Sequence, residues 1–242
     1  MKVNAIVQAR CGSTRFPKKV FALIDGKPLI WHVVERLKLT TRIDDIIIAT
    51  TENPIDDAIK KWCDDNGVLC YRGSEEDVLH RYYEASLKYP SDIVVRITAD
   101  DPFKEPCIID EVIACLENGE YDLVTNNFPP SFPEGLDCEA FTFKVLQEME
   151  MKSKDSFERE HVTQYVYRNP DKYRIGNVTC ERQLSYYRWT IDNIEDLNMV
   201  NAIYECRNGK GILLMDEILN ILEKKPEISE INATVKRSDM YK

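Results

Sequence analysis

Val3-Asn4-Ala5-Ile6-Val7-Gln8-Ala9-Arg10-Cys11-Gly12-Ser13-Thr14-Arg15-Phe16-Pro17-Lys18-Lys19 joins a short apolar run, closed by a polar glutamine, to a segment with four cations, a glycine, two hydroxyls and a proline. Two further apolar runs, Ile46-Ile47-Ile48-Ala49 and Ile93-Val94-Val95, are continuous rather than alternating. Runs of this kind read as strands buried on both faces, as in a parallel sheet. Helical periodicity separates them. Residues 29–39 place Ile30, Val33, Val34 and Leu37 on one face, and residues 54–62 open on a proline and carry Ala58, Ile59 and Trp62. Ser74 reads as the cap of a third helix with Val78, Leu79, Tyr82 and Ala85 buried, and residues 105–116 form a fourth. Strand and helix in alternation predict βαβ units, hence an α/β three-layer sandwich with a mostly parallel central sheet.

The alternation weakens after residue 120. Residues 126–133 hold three prolines and read as a loop. Residues 137–143 alternate as a half-exposed strand, 155–168 read as one helix with Glu158 in a capping box, and 174–178 and 186–191 read as further strands. Asn193 starts a helix with Asp196 three residues on, and the polar stretch from Lys225 is expected to wrap the surface. The expectation is a single domain over 1–242 with a β-rich insertion at about 127–185.

Composition narrows the function. With 32 Lys+Arg against 42 Asp+Glu, the net charge of −10 repels polyanions, so neither nucleic acid nor an anionic membrane surface is an expected partner. The N-terminus reaches Arg10 after one short apolar stretch, which does not read as a secretory signal, and the expected location is cytoplasmic. The eight cysteines form no C-x-x-C pair and read as reduced thiols, mostly core filler.

Three segments carry chemistry. The basic loop 10–19 follows a buried strand, at the end where open α/β sheets bind ligands, and its amides and cations suit a polyphosphate. It is not a Walker A sequence. Arg96-Ile97-Thr98-Ala99-Asp100-Asp101-Pro102 closes another strand with two adjacent carboxylates. Mg²⁺ binds through one or two carboxylates plus substrate phosphates, so Asp100 is a candidate ligand, while Asp101 suits a turn cap. Arg188-Trp189-Thr190-Ile191-Asp192-Asn193 places Asp192 either as an N-cap or as a second metal ligand. His32 and His80 lie in helical patterns and read as packed or surface residues. Arg159, Lys152 and Lys154 read either as solvated helix charges or as contacts for an anionic acceptor.

These residues carry a family resemblance. The segment from Val7 to Phe21 resembles the signature V-Q-A-R-x-G-S-T-R-L-P-G-K-V of the spore coat polysaccharide biosynthesis protein F group, which belongs with CMP-ketodeoxyoctonate synthetase and acylneuraminate cytidylyltransferase. The match continues through Tyr71-Arg72-Gly73-Ser74, the Asp100 block, Glu134-Gly135-Leu136-Asp137-Cys138-Glu139, Glu158-Arg159-Glu160-His161-Val162-Thr163 and the Asp192 block. The resemblance implies a nucleotide-diphospho-sugar transferase type of sandwich and a cytidylyltransferase acting on CTP and a small acidic acceptor. It implies that Arg10, Gly12, Ser13, Arg15 and Lys19 hold the triphosphate, with Arg15 and Lys19 also acting in catalysis. Arg72 and Ser74 then lie near the nucleoside, and Asp100 and Asp192 hold Mg²⁺. Asp137, Glu139, Glu160 and His161 fall on the acceptor side, and the insertion serves acceptor binding and a homodimer contact. Lys18 stands where the signature has glycine. Cys11 stands where methionine is common, and its electropositive loop leaves a lowered thiol pKa open. A metal-dependent glycosyltransferase of related fold and a non-catalytic nucleotide-binding homologue are the alternatives.

Overall fold

Residues 1–235 of the 242 are described in a computed structural model. The chain runs β1 (Val3–Gln8), β2 (Leu23–Ile24), β3 (Lys27–Pro28), α1 (Leu29–Leu37), β4 (Asp45–Thr51), α2 (Asp57–Asn66), β5 (Leu69–Gly73), α3 (Val78–Lys88), β6 (Ile93–Thr98) and α4 (Pro106–Glu117). It continues through β7 (Leu123–Thr125), β8 (Glu139–Thr142), α5 (Phe143–Lys152), α6 (Ser156–His161), α7 (Gln164–Tyr167), β9 (Ile175–Asn177), α8 (Ile194–Glu205), α9 (Met215–Lys224) and α10 (Glu227–Glu230). Seven strands form one sheet in the order β5-β4-β1-β6-β8-β7-β9, with β8 alone antiparallel to its neighbours. β2 and β3 form a separate hairpin across Asp25-Gly26, both at positive φ, as a two-residue turn of that type requires.

The continuous apolar runs have the expected cause. Val3, Ala5 and Val7 of β1 enter one core with α1, α4 and α8, while Ile6 enters a second core with α3 and α5. Successive side chains point to opposite faces, so a strand covered by helices on both sides needs apolar residues throughout. The result is the three-layer α/β sandwich with a mostly parallel sheet that the alternation predicts. The chain order reverses at β1, which pairs with β4 on one side and β6 on the other. The carboxyl ends of β1 and β6 therefore open onto one crevice.

Several local expectations are corrected. Residues 127–185 hold three helices and two short strands, so the segment is more helical than its alternation suggests. The strand within 137–143 is shorter and its first three residues are buried, because β8 is sandwiched between β6 and β7. The helix expected over 155–168 is broken at Val162, a buried β-branched residue at φ 58° and ψ −64°. Thr163 N–H donates to the His161 carbonyl across it, closing a γ-turn, while Glu139 takes the Thr163 hydroxyl and the Tyr167 hydroxyl. Residues 186–191 are not a strand; Arg188 makes one isolated bridge with Glu134. Ser74 does not cap α3. Its Oγ accepts from Asp77 N–H, and Asp77 is the cap. The surface wrap expected from Lys225 includes buried Ile228 and Asn232, and its last seven residues lie outside the described residues.

His32 is packed in α1, with Nε2 at 2.8 Å from the Ile24 carbonyl and Nδ1 at 3.1 Å from the Tyr204 hydroxyl. Burial pushes its pKa down from 6.5 to about 4. The unfolded chain then binds a proton that the folded chain refuses, so this group withdraws stability as the pH falls from 6.5 towards 4. Between pH 7 and pH 5 the wild type is expected to lose about 2 kcal/mol more stability than His32→Gln, measured by urea unfolding. Asp137, whose carboxyl burial pushes up to about 7, has the opposite slope and cancels in that difference.

Candidate active site

The basic loop is anchored by an acid from another element. Cys11 N–H donates to Asp56 Oδ1 at 2.6 Å, and the Thr51 hydroxyl donates to Asp56 Oδ2. Asp56 is 1% exposed, at the turn that opens α2. The loop closes on itself through Lys18 N–H to the Cys11 carbonyl at 3.0 Å. Lys18 adopts the left-handed conformation, φ 56° and ψ 26°, which is the backbone reason for glycine at this place in the signature. Cys11 is buried, and burial together with Asp56 pushes its thiol up to about 12, so the lowered pKa left open above is not found. Asp56→Ala strips partners from a buried amide and a hydroxyl. At about 1.5–3 kcal/mol for each hydrogen bond to a charged group, urea unfolding is expected to show a loss of about 3 kcal/mol.

Opposite the loop stand the two aspartates. Asp100 follows β6 and Asp192 precedes α8, and Ile191 N–H donates to the Asp100 carbonyl at 2.9 Å, which ties the two segments together. Asn193, not Asp192, is the N-cap of α8, in a reciprocal capping box with Asp196, so Asp192 is left facing the crevice. The Lys19 ammonium joins both carboxylates. Its Nζ donates to Asp100 Oδ2, Asp192 Oδ1 and the Ile191 carbonyl, each at 2.9 Å. Burial pulls this ammonium down, but the two carboxylates outweigh it and hold it at about 12. Burial likewise raises Asp100 and Asp192, and Lys19 outweighs it, so both stay below the usual carboxylate value.

The far oxygen of Asp192 is fixed from behind. Arg188 Nη2 donates to Asp192 Oδ2 at 3.0 Å, and the same guanidinium binds Glu134 and the fully buried Asp196. Arg15 approaches Asp192 at 3.4 Å from the loop side. Asp101 turns inward to pair with Lys104 at 2.8 Å, which leaves Asp100 as the carboxylate of that segment in the crevice.

Between the loop and the aspartates lies a cavity of about 1030 Å³. Arg10, Gly12, Ser13, Arg15 and Lys19 line one wall, and Asp100 and Asp192 line another. Ser74 stands on a third, with Glu160 and His161 from the end of α6. Burial lowers the His161 pKa, and its ring packs on Phe157 at 4.4 Å. Three predicted site residues do not line this cavity. Arg72 spends its guanidinium on the Thr51 and Asn53 carbonyls and on Asp57. Glu139 is buried against Arg96 at 2.6 Å. Asp137 offers its carbonyl to Lys104, away from the cavity. Arg159 is bound to Asp77 and Glu150, and Lys152 pairs with Glu148, so neither is a spare cation for an acceptor.

The sequence reading missed Asp56, Glu75, Arg81 and Ser156. The last three line the cavity and the first holds its loop. Asp56 and Glu75 sit in short acidic runs that read as solvated or capping charge, Arg81 and Ser156 stand in helical segments, and only the fold brings them there. Among the described residues no group of three or more His, Cys, Asp or Glu side chains is arranged to hold a metal ion, and no helix is long and apolar enough to cross a membrane.

The whole chain has relatives of the same architecture. It superposes on a cytidylyltransferase from Leptospira borgpetersenii serovar Hardjo-bovis with a TM-score of 0.91 at 33% identity, covering 98% of this chain and 100% of that one. It is 29% identical to the spore coat polysaccharide biosynthesis protein SpsF of Bacillus subtilis, over 92% of this chain and 94% of that protein. The structure of CMP:2-keto-3-deoxy-manno-octonic acid synthetase complexed with CTP shares the fold, with a TM-score of 0.65 at 19% identity over 85% of this chain and 99% of that one. The profile of the cytidylyltransferase family matches residues 4–233. With that match over nearly its full length, this chain belongs to the cytidylyltransferase family and is a nucleotidyltransferase enzyme.

Proposed function

We propose that this enzyme transfers the cytidylyl group of CTP to an acidic sugar or a related acceptor, releasing pyrophosphate, in the synthesis of a polysaccharide or surface glycan. The observation that carries this reading is one cavity shared by the cationic loop and the carboxylates of Asp100 and Asp192. The SpsF relative and the CTP-bound neighbour point the same way.

An acceptor oxygen forms a bond to the α-phosphorus as the bond from that phosphorus to the bridging oxygen of pyrophosphate breaks. Such a transfer needs positioning and charge neutralisation rather than a covalent enzyme intermediate. Arg10 and Arg15, with the amides around Gly12 and Ser13, neutralise the phosphates and take the charge that develops on pyrophosphate. Glu160, His161 and Ser156 border the acceptor end. Asp100 and Asp192 fit Mg²⁺: two carboxylates held close enough to share one ammonium supply two hard oxygen ligands and leave the others to phosphate and water. When bound, the ion supplies Lewis-acid polarisation of the α-phosphate. The cytoplasmic location and a homodimer joined through the insertion belong to this reading, and light scattering in solution checks the second.

The test is a panel of acidic sugars and polyol phosphates incubated with CTP and Mg²⁺, reading pyrophosphate and the CMP-linked product. At least one acceptor is expected to give both in equal amounts. Transfer from a nucleoside diphosphate sugar in place of any pyrophosphate release would overturn it in favour of a glycosyltransferase.

A further inference from the structure

Arg81, one turn into α3, has no part in the chemistry described so far. It lines the cavity although only 3% of it is exposed. Its Nη1 donates to the Ser74 carbonyl, and its Nε is sealed from solvent without a partner. Asp56, Glu75 and Arg10 are the charged groups around it, and among the described residues no carboxylate forms an ion pair with it. A buried guanidinium in that condition is costly unless a ligand meets it. The backbone gives way to make room for it: a Cβ at Gly73 would stand 3.3 Å from Arg81 Cγ and 2.9 Å from the Tyr71 ring.

Glu75 shares this wall. Its carboxylate lies 3.7 Å from Arg10 Nη1, accepts from Asn53 Nδ2 at 3.1 Å, and stands 3.2 Å from where a Cβ of Gly12 would be. A phosphate subsite wants donors alone, and Glu75 repels phosphate. A donor group beside an acceptor group matches a neutral heterocycle with both kinds of edge atom. Cytosine presents O2 and N3 as adjacent acceptors and the N4 amino group as a donor. With Nε sealed, the Arg81 Nη protons that Ser74 does not take would donate to the first two, and a carboxylate accepts from the third. Uracil reverses the last two positions: its N3–H meets the guanidinium donors and its O4 meets the carboxylate.

We propose that Arg81 and Glu75 read the O2–N3–N4 edge of the base and make the site select CTP over UTP. This rests on the cytidylyl-transfer reading and adds the residues that set base specificity. Calorimetry in Mg²⁺ buffer, with no acceptor, tests it on the full chain. The wild type is expected to bind CTP at least ~100-fold more tightly than UTP, because a site built on polar contacts rejects the mismatched partner strongly. Arg81→Gln and Glu75→Gln are each expected to bring that ratio below ~10-fold, with CTP weakened in the first and UTP strengthened in the second. Glu75 is partly exposed, so its variant carries the test even if Arg81→Gln fails to fold. Equal weakening of both nucleotides would make Arg81 a phosphate ligand and overturn the proposal, as would an unchanged ratio. A wild type that binds both nucleotides equally would overturn base selection alone, whereas one that binds neither would overturn cytidylyl transfer itself.

Discussion

Asp100→Asn is expected to slow cytidylyl transfer by at least ~10²–10³-fold, the loss typical when one preorganised electrostatic contact to the reacting group is removed. The substitution keeps the shape of the side chain and deletes its charge. Asp100 is the only carboxylate of the 100–101 pair that faces the cavity, since Asp101 is spent on Lys104. The fold is expected to survive. Lys19 keeps Asp192 and the Ile191 carbonyl, and the backbone bond from Ile191 to Asp100 does not involve the side chain. A stability loss of about 1 kcal/mol is consistent with one hydrogen bond removed while its donor stays partnered. Pyrophosphate release with an accepted substrate and thermal unfolding, measured on the same sample, separate the two effects. Turnover within tenfold of the wild type would remove Asp100 from the reacting centre.

Much of this arrangement was legible in the chain because its causes are local. An uninterrupted apolar run such as Ile46-Ile47-Ile48-Ala49 has one economical reading, a strand with helices on both faces, and β4 is such a strand. The basic loop and the Asp100 block stand out as charge at strand ends, and the Asp192 block as charge just ahead of a helix. What stayed hidden depends on contacts across the chain. Asp56 reads as an ordinary acid at a helix start, and its hold on Cys11 spans 45 residues. Arg81 sits within a helical stripe among Val78, Leu79 and Tyr82, where nothing marks a guanidinium as unpaired. The break at Val162 has no glycine or proline to announce it; tertiary bonds from Glu139 to Thr163 and Tyr167 override helical periodicity there. Arg72 shows the converse error, since a residue inside a matching block is consumed by neighbouring carbonyls and Asp57.

Lys19→Met is expected to have the widest effect, because all three ammonium protons are committed. They reach Asp100, Asp192 and the Ile191 carbonyl, which leaves none for a phosphate in this state. The ammonium is thus the counter-ion of the two carboxylates, and a divalent cation held by Asp100 and Asp192 would have to compete with it. If phosphates arriving on the loop offered Lys19 new acceptors, the carboxylates would be freed, and cation and nucleotide are then expected to bind cooperatively. Removing the ammonium leaves Asp100 without its cation in a half-buried cleft while Asp192 keeps Arg188, and the loss is expected to be about 1–3 kcal/mol in urea unfolding. Turnover is expected to fall by at least ~10³-fold, since the variant loses the ammonium that aligns the two aspartates. The nucleotide-free protein is expected to bind Mn²⁺, followed by the loss of its free-ion resonance, at least ~10-fold more tightly than the wild type, about 1.4 kcal/mol gained when the competing charge is gone. A variant that bound Mn²⁺ no better than the wild type would show that Lys19 does not compete for these oxygens, and the cooperativity would have to come from the phosphates alone.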